Sequence, residues 1–209
     1  MQRYGEFVQL FFVLAMTQTV KVNRGFTLIE LMVTLAIGVL LMMVAIPSLT
    51  TYKRNAELTS AANTLLAAIN AARGEAMKRG RNAFVVPTNN GTSWNQGWVV
   101  FVDMNNSQTY TSTDTLVLSQ AALPSTLTAV ANGSGGASPP YVMFDASGYS
   151  KLKGSAGFGA LTFSISRNDV TGTIAYDQMR LIKIASTGRV RICKPTMASD
   201  PNCSYVVSD

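Results

Sequence analysis

The chain has no histidine among its 209 residues and only two cysteines. The first absence excludes Ser-His-Asp and Cys-His catalysis, because both need an imidazole to carry the proton. It also deprives any metal site of its commonest nitrogen ligand, and two thiols alone do not make one. Charge is scarce as well: Asp, Glu, Lys and Arg make up 13% of the residues, with 17 bases against 11 acids and a net charge of +6. That balance is compatible with a polyanion partner without demanding one. Two stretches approach ligand loops and stop short. Asp103-Met104-Asn105-Asn106 offers oxygen ligands for calcium but lacks the glycine and distal glutamate of an EF-hand, and Asp and Asn also initiate turns. Residues 154–159 are glycine-rich, yet no Gly-Lys-Ser/Thr or strand-to-helix context surrounds them. No nucleophile-base pair, metal set or cofactor loop is visible, so the reading is a non-enzyme without cofactor.

What the chain has in abundance is an apolar run with one acid inside it. Between Phe26 and Leu49, 13 residues are Leu, Ile, Val or Phe, and Glu30 is the lone charge. A carboxylate costs about 2.5–3.5 kcal/mol at a helix centre in a bilayer, whereas each of those apolar residues contributes about 0.3–0.6 kcal/mol, so the run spans a membrane despite Glu30. No small-x-small site ends it, which argues against an ordinary secretory signal; an uncleaved anchor with Glu30 near the interface is the plain alternative. Lys21 and Arg24 precede the run and keep its leading side cytoplasmic, which places the rest of the chain in the periplasm.

The string Gly25-Phe26-Thr27-Leu28-Ile29-Glu30-Leu31 resembles the processing site of type IV pilins and pseudopilins. The resemblance implies cleavage between Gly25 and Phe26 by a prepilin peptidase and N-methylation of Phe26. It also implies that Glu30, fifth in the processed chain, meets the terminal amine of a neighbouring subunit during filament assembly. A carboxylate and an ammonium about 4 Å apart attract by about 4 kcal/mol, gross, at an effective dielectric of 20. Pro47 falls where pilins of this class commonly carry a proline and joins Glu30 as an assembly residue. Removing residues 1–25 as a leader takes away Arg3, Lys21, Arg24 and Glu6 and leaves a side-chain balance of +4. Residues 7–16 are largely apolar, unlike the short, polar, basic leaders of pilins, whereas a start at Met16 gives a leader of the usual type.

From Phe26 to about Lys78 the pattern predicts one long helix with a kink at Pro47. Residues 26–48 form its membrane-spanning half. Residues 49–80 form an amphipathic half, with Leu58, Ala62, Leu65, Leu66, Ile69, Ala72 and Ala76 at helical spacing and Lys53, Arg54, Glu57, Arg73 and Lys78 nearer solvent. Gly80 ends it. Residues 81–209 form a β-rich head, with strand signals at 83–86, 98–103, 116–119, 141–144, 161–166, 179–185, 189–193 and 205–207. Residues 87–91 read as a turn and 131–140 as a flexible loop insertion. The fold class is therefore α+β, a type IV pilin-like long amino-terminal helix packed on an antiparallel β-rich head.

The runs Ala71-Ala72-Arg73-Gly74-Glu75-Ala76-Met77-Lys78-Arg79-Gly80 and Trp94-Asn95-Gln96-Gly97-Trp98-Val99-Val100-Phe101-Val102-Asp103 resemble the GspH/FimT family of minor pseudopilins and minor pilins, most of all FimT. Gly188-Arg189-Val190-Arg191-Ile192-Cys193 resembles the Gly-Arg-x-Arg stretch of FimT-type minor pilins, which implies DNA binding in natural transformation. On a strand, period two puts Arg189 and Arg191 on one face. Guanidiniums pair bidentately with phosphate, giving sequence-independent affinity, and Lys194, Arg180 and Lys183 are further candidates. The alternative is a solvated strand face. In a periplasmic domain Cys193 and Cys203 read as a disulfide contributing about 2–3 kcal/mol by loop closure. Trp98 reads as core, and Trp94 is open between core and base stacking. The implied partners are other major and minor pilins or pseudopilins, the prepilin peptidase, the inner membrane and DNA. The implied location is the inner membrane before assembly and the pilus at the cell surface after it. A minor type IV pilin is the leading reading; a GspH-like pseudopilin of a type II secretion system is the alternative.

Overall fold

A computed structural model of the chain describes residues 25–170, 174–197 and 200–206. The leader positions before Gly25, with Met16, Lys21 and Arg24, lie outside those residues. The chain divides into two compact units, one ending at Ser48 and the other beginning at Leu49.

The first unit carries the start of helix α1 (Leu28–Arg79). Thr27 opens the helix: its hydroxyl oxygen accepts from the Glu30 amide at 3.2 Å, and its carbonyl accepts from Leu31 at 3.1 Å. Leu28, Ile29, Leu35, Leu41 and Ile46 are all exposed, so this segment is apolar all round and has no core of its own to face. Among the described residues no single straight helix is long and apolar enough to cross a membrane; Leu28–Met43 and Ser48–Arg79 together reach that length by composition. The side chain of Pro47, where the sequence predicts a kink, lies outside the described residues.

In the second unit α1 runs on to Arg79. Gly80, at φ 64°, lets the Arg81 amide return to the Ala76 carbonyl at 3.2 Å and closes the helix. Leu58, Ala62, Leu65, Ile69, Ala72 and Ala76 form the buried stripe. The strands are β1 (Ala83–Pro87), β2 (Trp98–Val102), β3 (Thr115–Gln120), β4 (Leu127–Ala131), β5 (Val142–Phe144), β6 (Leu161–Arg167), β7 (Met179–Ile184) and β8 (Val190–Cys193), with a one-turn helix α2 (Ile174–Asp177) before β7. They pair into two antiparallel sheets, β3-β2-β1-β5 and β4-β6-β7-β8. Val85, Val100 and Val142 of the first sheet and Phe163, Ile165 and Ile182 of the second meet the helix stripe in one core. The other face of the first sheet is buried too: Phe84, Val99, Phe101 and Met143 cluster beneath Tyr110. This double burial is why β1 and β2 read as unbroken apolar runs rather than alternating ones.

One ionic group crosses from helix to sheet. The Arg167 side chain, 4% exposed, donates to Glu57 at 2.6 Å and to both oxygens of Asp169 at 2.8 and 2.9 Å, and Arg54 stands 3.7 Å from Asp169. The Arg167 guanidinium holds the Asp169 carboxyl below the usual range. Glu57, expected near solvent, thus becomes half of the counter-charge that lets a guanidinium be buried.

Three expectations are corrected. Strand β4 is missed in the sequence because its outward residue Val130 is apolar like its inward Leu127 and Ala129, which blurs the alternation. Tyr205 and Val206 form a bend instead of a strand, the Tyr205 carbonyl being taken by the Asn132 amide group at 2.7 Å; Val207 lies outside the described residues. The stretch 131–140 is a packed connection and not a free insertion. Ser134 and Gly135 are buried, and the Gly135 carbonyl accepts from the Trp94 indole at 2.8 Å.

Candidate functional site

The basic strand is the exposed arm of the β7–β8 hairpin. Ala185 donates to the Arg189 carbonyl and Gly188 to the Ala185 carbonyl, both at 2.9 Å. Val190 and Ile192 pack toward the core, while Arg189 and Arg191 stand exposed, as period two requires. Among the described residues neither guanidinium has an ion-pair partner. Gly188 adopts φ 78°, and a Cβ there would sit 1.9 Å from the Gly148 carbonyl oxygen, so glycine is needed for both the turn and the approach. Arg73 on α1 braces this junction: its Nε donates to the same Gly148 oxygen at 2.9 Å, and its Nη2 reaches toward the Thr187 carbonyl at 3.5 Å. Arg73, expected near solvent, is thus held by two backbone carbonyls.

The other three cations are each engaged or buried where Arg189 and Arg191 stand open. Lys194 pairs with Asp177 at 2.9 Å. Arg180 donates to the Asp177 and Met179 carbonyls at 3.2 and 2.8 Å, and its Nη2 lies 3.5 Å from the Thr59 hydroxyl of α1. Lys183 sits directly across from Arg191 but is buried, and both that burial and the Arg191 charge push its ammonium pKa down. The predicted cluster of five therefore contracts to two exposed guanidiniums.

Cys193 and Cys203 form a disulfide that ties the end of β8 to the following segment. Within that loop the Asp200 carboxylate accepts from the Thr196 amide (3.0 Å) and hydroxyl (2.8 Å) and from the Asn202 (2.9 Å) and Cys203 (3.2 Å) amides. These donors, the Thr196 and Asn202 amides foremost, hold the Asp200 carboxyl below its ordinary value. A depressed carboxylate stabilises above its unfolded pKa, near 3.9, and the contribution fades as pH falls through the lower folded value. Asp200→Asn is therefore expected to melt below the wild type at neutral pH and to converge with it in strong acid. Parallel thermal melts check this; a gap that persists undiminished at low pH contradicts it.

Neither indole is free to stack on a base. Trp98 is fully buried, and Trp94, 3% exposed, lies edge-on to Phe163 at 4.8 Å. Asp103 is buried and accepts from the Ser107 and Gln108 amides at 3.1 and 2.9 Å, which makes the residues after it a carboxylate-held turn. In the first unit Gly25, Phe26 and Glu30 are exposed, and the Glu30 carboxylate has no cationic partner among the described residues.

Residues 61–188 match the family described as type II transport protein GspH, and residues 20–46 match the prokaryotic N-terminal methylation motif. No curated protein matches the chain. Among solved structures, the type IV minor pilin FimU of Pseudomonas aeruginosa (strain PAO1) is 22% identical with a TM-score of 0.51, over 70% of this chain and 98% of that one. The minor pseudopilin EpsH of the type 2 secretion system of Vibrio cholerae is 15% identical with a TM-score of 0.47, over 66% of this chain and 98% of that one. The FimU likeness concerns the fold: a long helix packed on antiparallel sheets.

Proposed function

The chain belongs to the family of the type II transport protein GspH, and from that premise we propose that it is a minor type IV pilin that also contacts DNA. One observation carries the assembly role: an exposed, wholly apolar helical segment holds a single carboxylate, Glu30, with no cation to meet it among the described residues. The terminal amine of a neighbouring processed subunit supplies that charge. In this reading prepilin peptidase cuts between Gly25 and Phe26, and Phe26 is N-methylated. Residues 26–48 hold the chain in the inner membrane, and residues 49–80 and 81–209 stand on its periplasmic side. The protein then enters a pilus with other pilins, its action being assembly rather than catalysis.

DNA contact rests on Arg189 and Arg191, two exposed guanidiniums without carboxylate partners among the described residues, which suit phosphate through paired N–H donors. A pseudopilin role in type II secretion is the second reading, favoured by the family description itself. Sheared pili test both. The processed chain is expected in the filament fraction, and pili from an Arg189→Ala/Arg191→Ala strain are expected to lose DNA retention at about 50 mM salt, with the salt slope reduced by about 2. Unchanged retention removes the DNA role. Absence from sheared filaments, with protein export failing on deletion of the gene, selects the secretion reading.

A further inference from the structure

Beside the basic hairpin lies a second constellation that the pilin reading does not use. After β5 the chain turns back on itself through bridges pairing Phe144 with Ser150 and Lys151 with Phe158. This short arm carries Tyr149, 42% exposed, and Phe158, 54% exposed, with ring centroids 5.4 Å apart and planes at 63°. The Lys151 ammonium stands 3.8 Å from the Phe158 centroid, and Lys153 lies 4.6 Å from the Tyr141 ring and 5.1 Å from Phe84. The nearby acid is already engaged: Asp145 accepts from the Ser147 and Tyr149 amides at 2.9 and 3.0 Å and stands 3.9 Å from Lys151.

The arm is fastened to the β7–β8 turn. Ser150 donates to the Ser186 carbonyl at 3.0 Å, and Gly148 meets Gly188 with Arg73 donating into the junction. Tyr149 stands between those two points of attachment, and Arg189 follows Gly188 directly. An exposed aromatic pair, with Lys151 over one ring, is thus held beside Arg189 by backbone contacts, and Arg191 follows two residues on along the same strand face.

We propose that Tyr149 and Phe158 form a stacking platform for unpaired bases, with Arg189 and Arg191 along the phosphates and Lys151, held by the Ala156 carbonyl at 3.2 Å, bracing the Phe158 ring, so that this face prefers single-stranded over duplex DNA. The proposal rests on the DNA reading above and deepens it. Isolated exposed apolar residues need no explanation, but two adjacent rings amid cations present the combination that single strands use: aromatic faces for bases and positive charge for the backbone. A duplex keeps its bases stacked on one another and gains nothing from the rings, though its phosphates still meet the arginines.

The test uses the full processed chain in detergent micelles, with a labelled thymidine oligomer and a labelled duplex, at about 50 and about 200 mM salt. Tyr149→Leu with Phe158→Leu keeps apolar bulk and removes the π faces. It is expected to weaken oligomer binding about tenfold or more while leaving duplex binding and the salt slope unchanged. Phe158→Trp retains binding, and its indole emission is quenched by the oligomer, a readout that does not depend on the double variant's fold. Oligomer affinity unchanged in the double variant, or oligomer and duplex affinities falling together, overturns the platform. Pilus incorporation lost with binding intact assigns the rings to a neighbouring subunit and also overturns it. Oligomer and duplex binding that both depend on Arg189 and Arg191 and are both indifferent to the rings leave the DNA role standing without the platform. A wild type that binds neither probe removes both.

Discussion

Gly97→Ala is expected to lower the stability of the β-rich unit by about 3 kcal/mol or more, read from the denaturation midpoint at unchanged slope. Gly97 follows the short turn Trp94–Gln96 with φ 92° and ψ −176°, a region that residues bearing a Cβ essentially avoid. An added Cβ would stand 2.2 Å from the Gln120 carbonyl oxygen and 2.7 Å from the Ala121 carbonyl. Those are backbone atoms with little freedom: Gln120 pairs with Trp98 across β3 and β2, and Leu123 donates to the Asn95 carbonyl at 2.9 Å. Gly80→Ala is the control. Its φ is also positive, at 64°, but nothing lies within 4 Å of the added atom, so only a conformational cost of about 1 kcal/mol is expected. Equal losses at the two positions refute the steric account. The glycine in Trp-x-x-Gly-Trp is thus what allows the chain to pass beneath the end of β3 and deliver Trp98 into the core.

Glu30→Ala is expected to leave processing at Gly25 intact and to remove the chain from sheared pili. A gross attraction of about 4 kcal/mol between carboxylate and amine corresponds to about a thousandfold in a docking equilibrium. Membrane retention should survive, because removing an acid from an apolar segment makes insertion easier. Glu30→Gln separates charge from hydrogen bonding: it keeps the shape and the acceptor and is expected to fail as the alanine variant does. Quantitative immunoblots of membrane and filament fractions check both. Incorporation at the wild-type level contradicts a docking role for the carboxylate.

Much of the fold is legible in the chain because it is written in short-range periodicities. The helical stripe from Leu58 to Ala76, the stop at Gly80 and the apolar runs of β1 and β2 all follow from spacing and turn chemistry. So does the outward pairing of Arg189 and Arg191, since a strand alternates whatever it packs against. Long-range choices were not legible. Lys194 finds Asp177 only because α2 is carried next to β8 by the second sheet, and Arg180 reaches Thr59 only once that sheet lies on α1. Trp94 becomes core because its indole donates to the Gly135 carbonyl at 2.8 Å, and Gly135 can pack there only without a side chain, since a Cβ would stand 2.7 Å from Ala131 and 3.1 Å from Leu161. Arg73 and Tyr149 carried no local signal of their joint placement, because Gly148 and Gly188 meet across 39 intervening residues.

The strand order has a consequence for how such a protein survives its own delivery. β5 completes the first sheet at the free edge of β1, yet it lies in the chain between β4 and β6, which begin the second. The meander β1-β2-β3 can close early, but β4 waits for β6, and β1 keeps one unpaired edge until Val142–Phe144 arrive. Neither sheet is a continuous piece of chain, so the first is completed only after the second has begun. A chain that lengthens from its amino terminus therefore passes through an interval in which β1 has one open ladder edge and β4 has no strand to pair with, a state prone to pairing with the wrong neighbour. Both openings close with the arrival of Val142–Phe144 on β1 and of Leu161–Arg167 on β4.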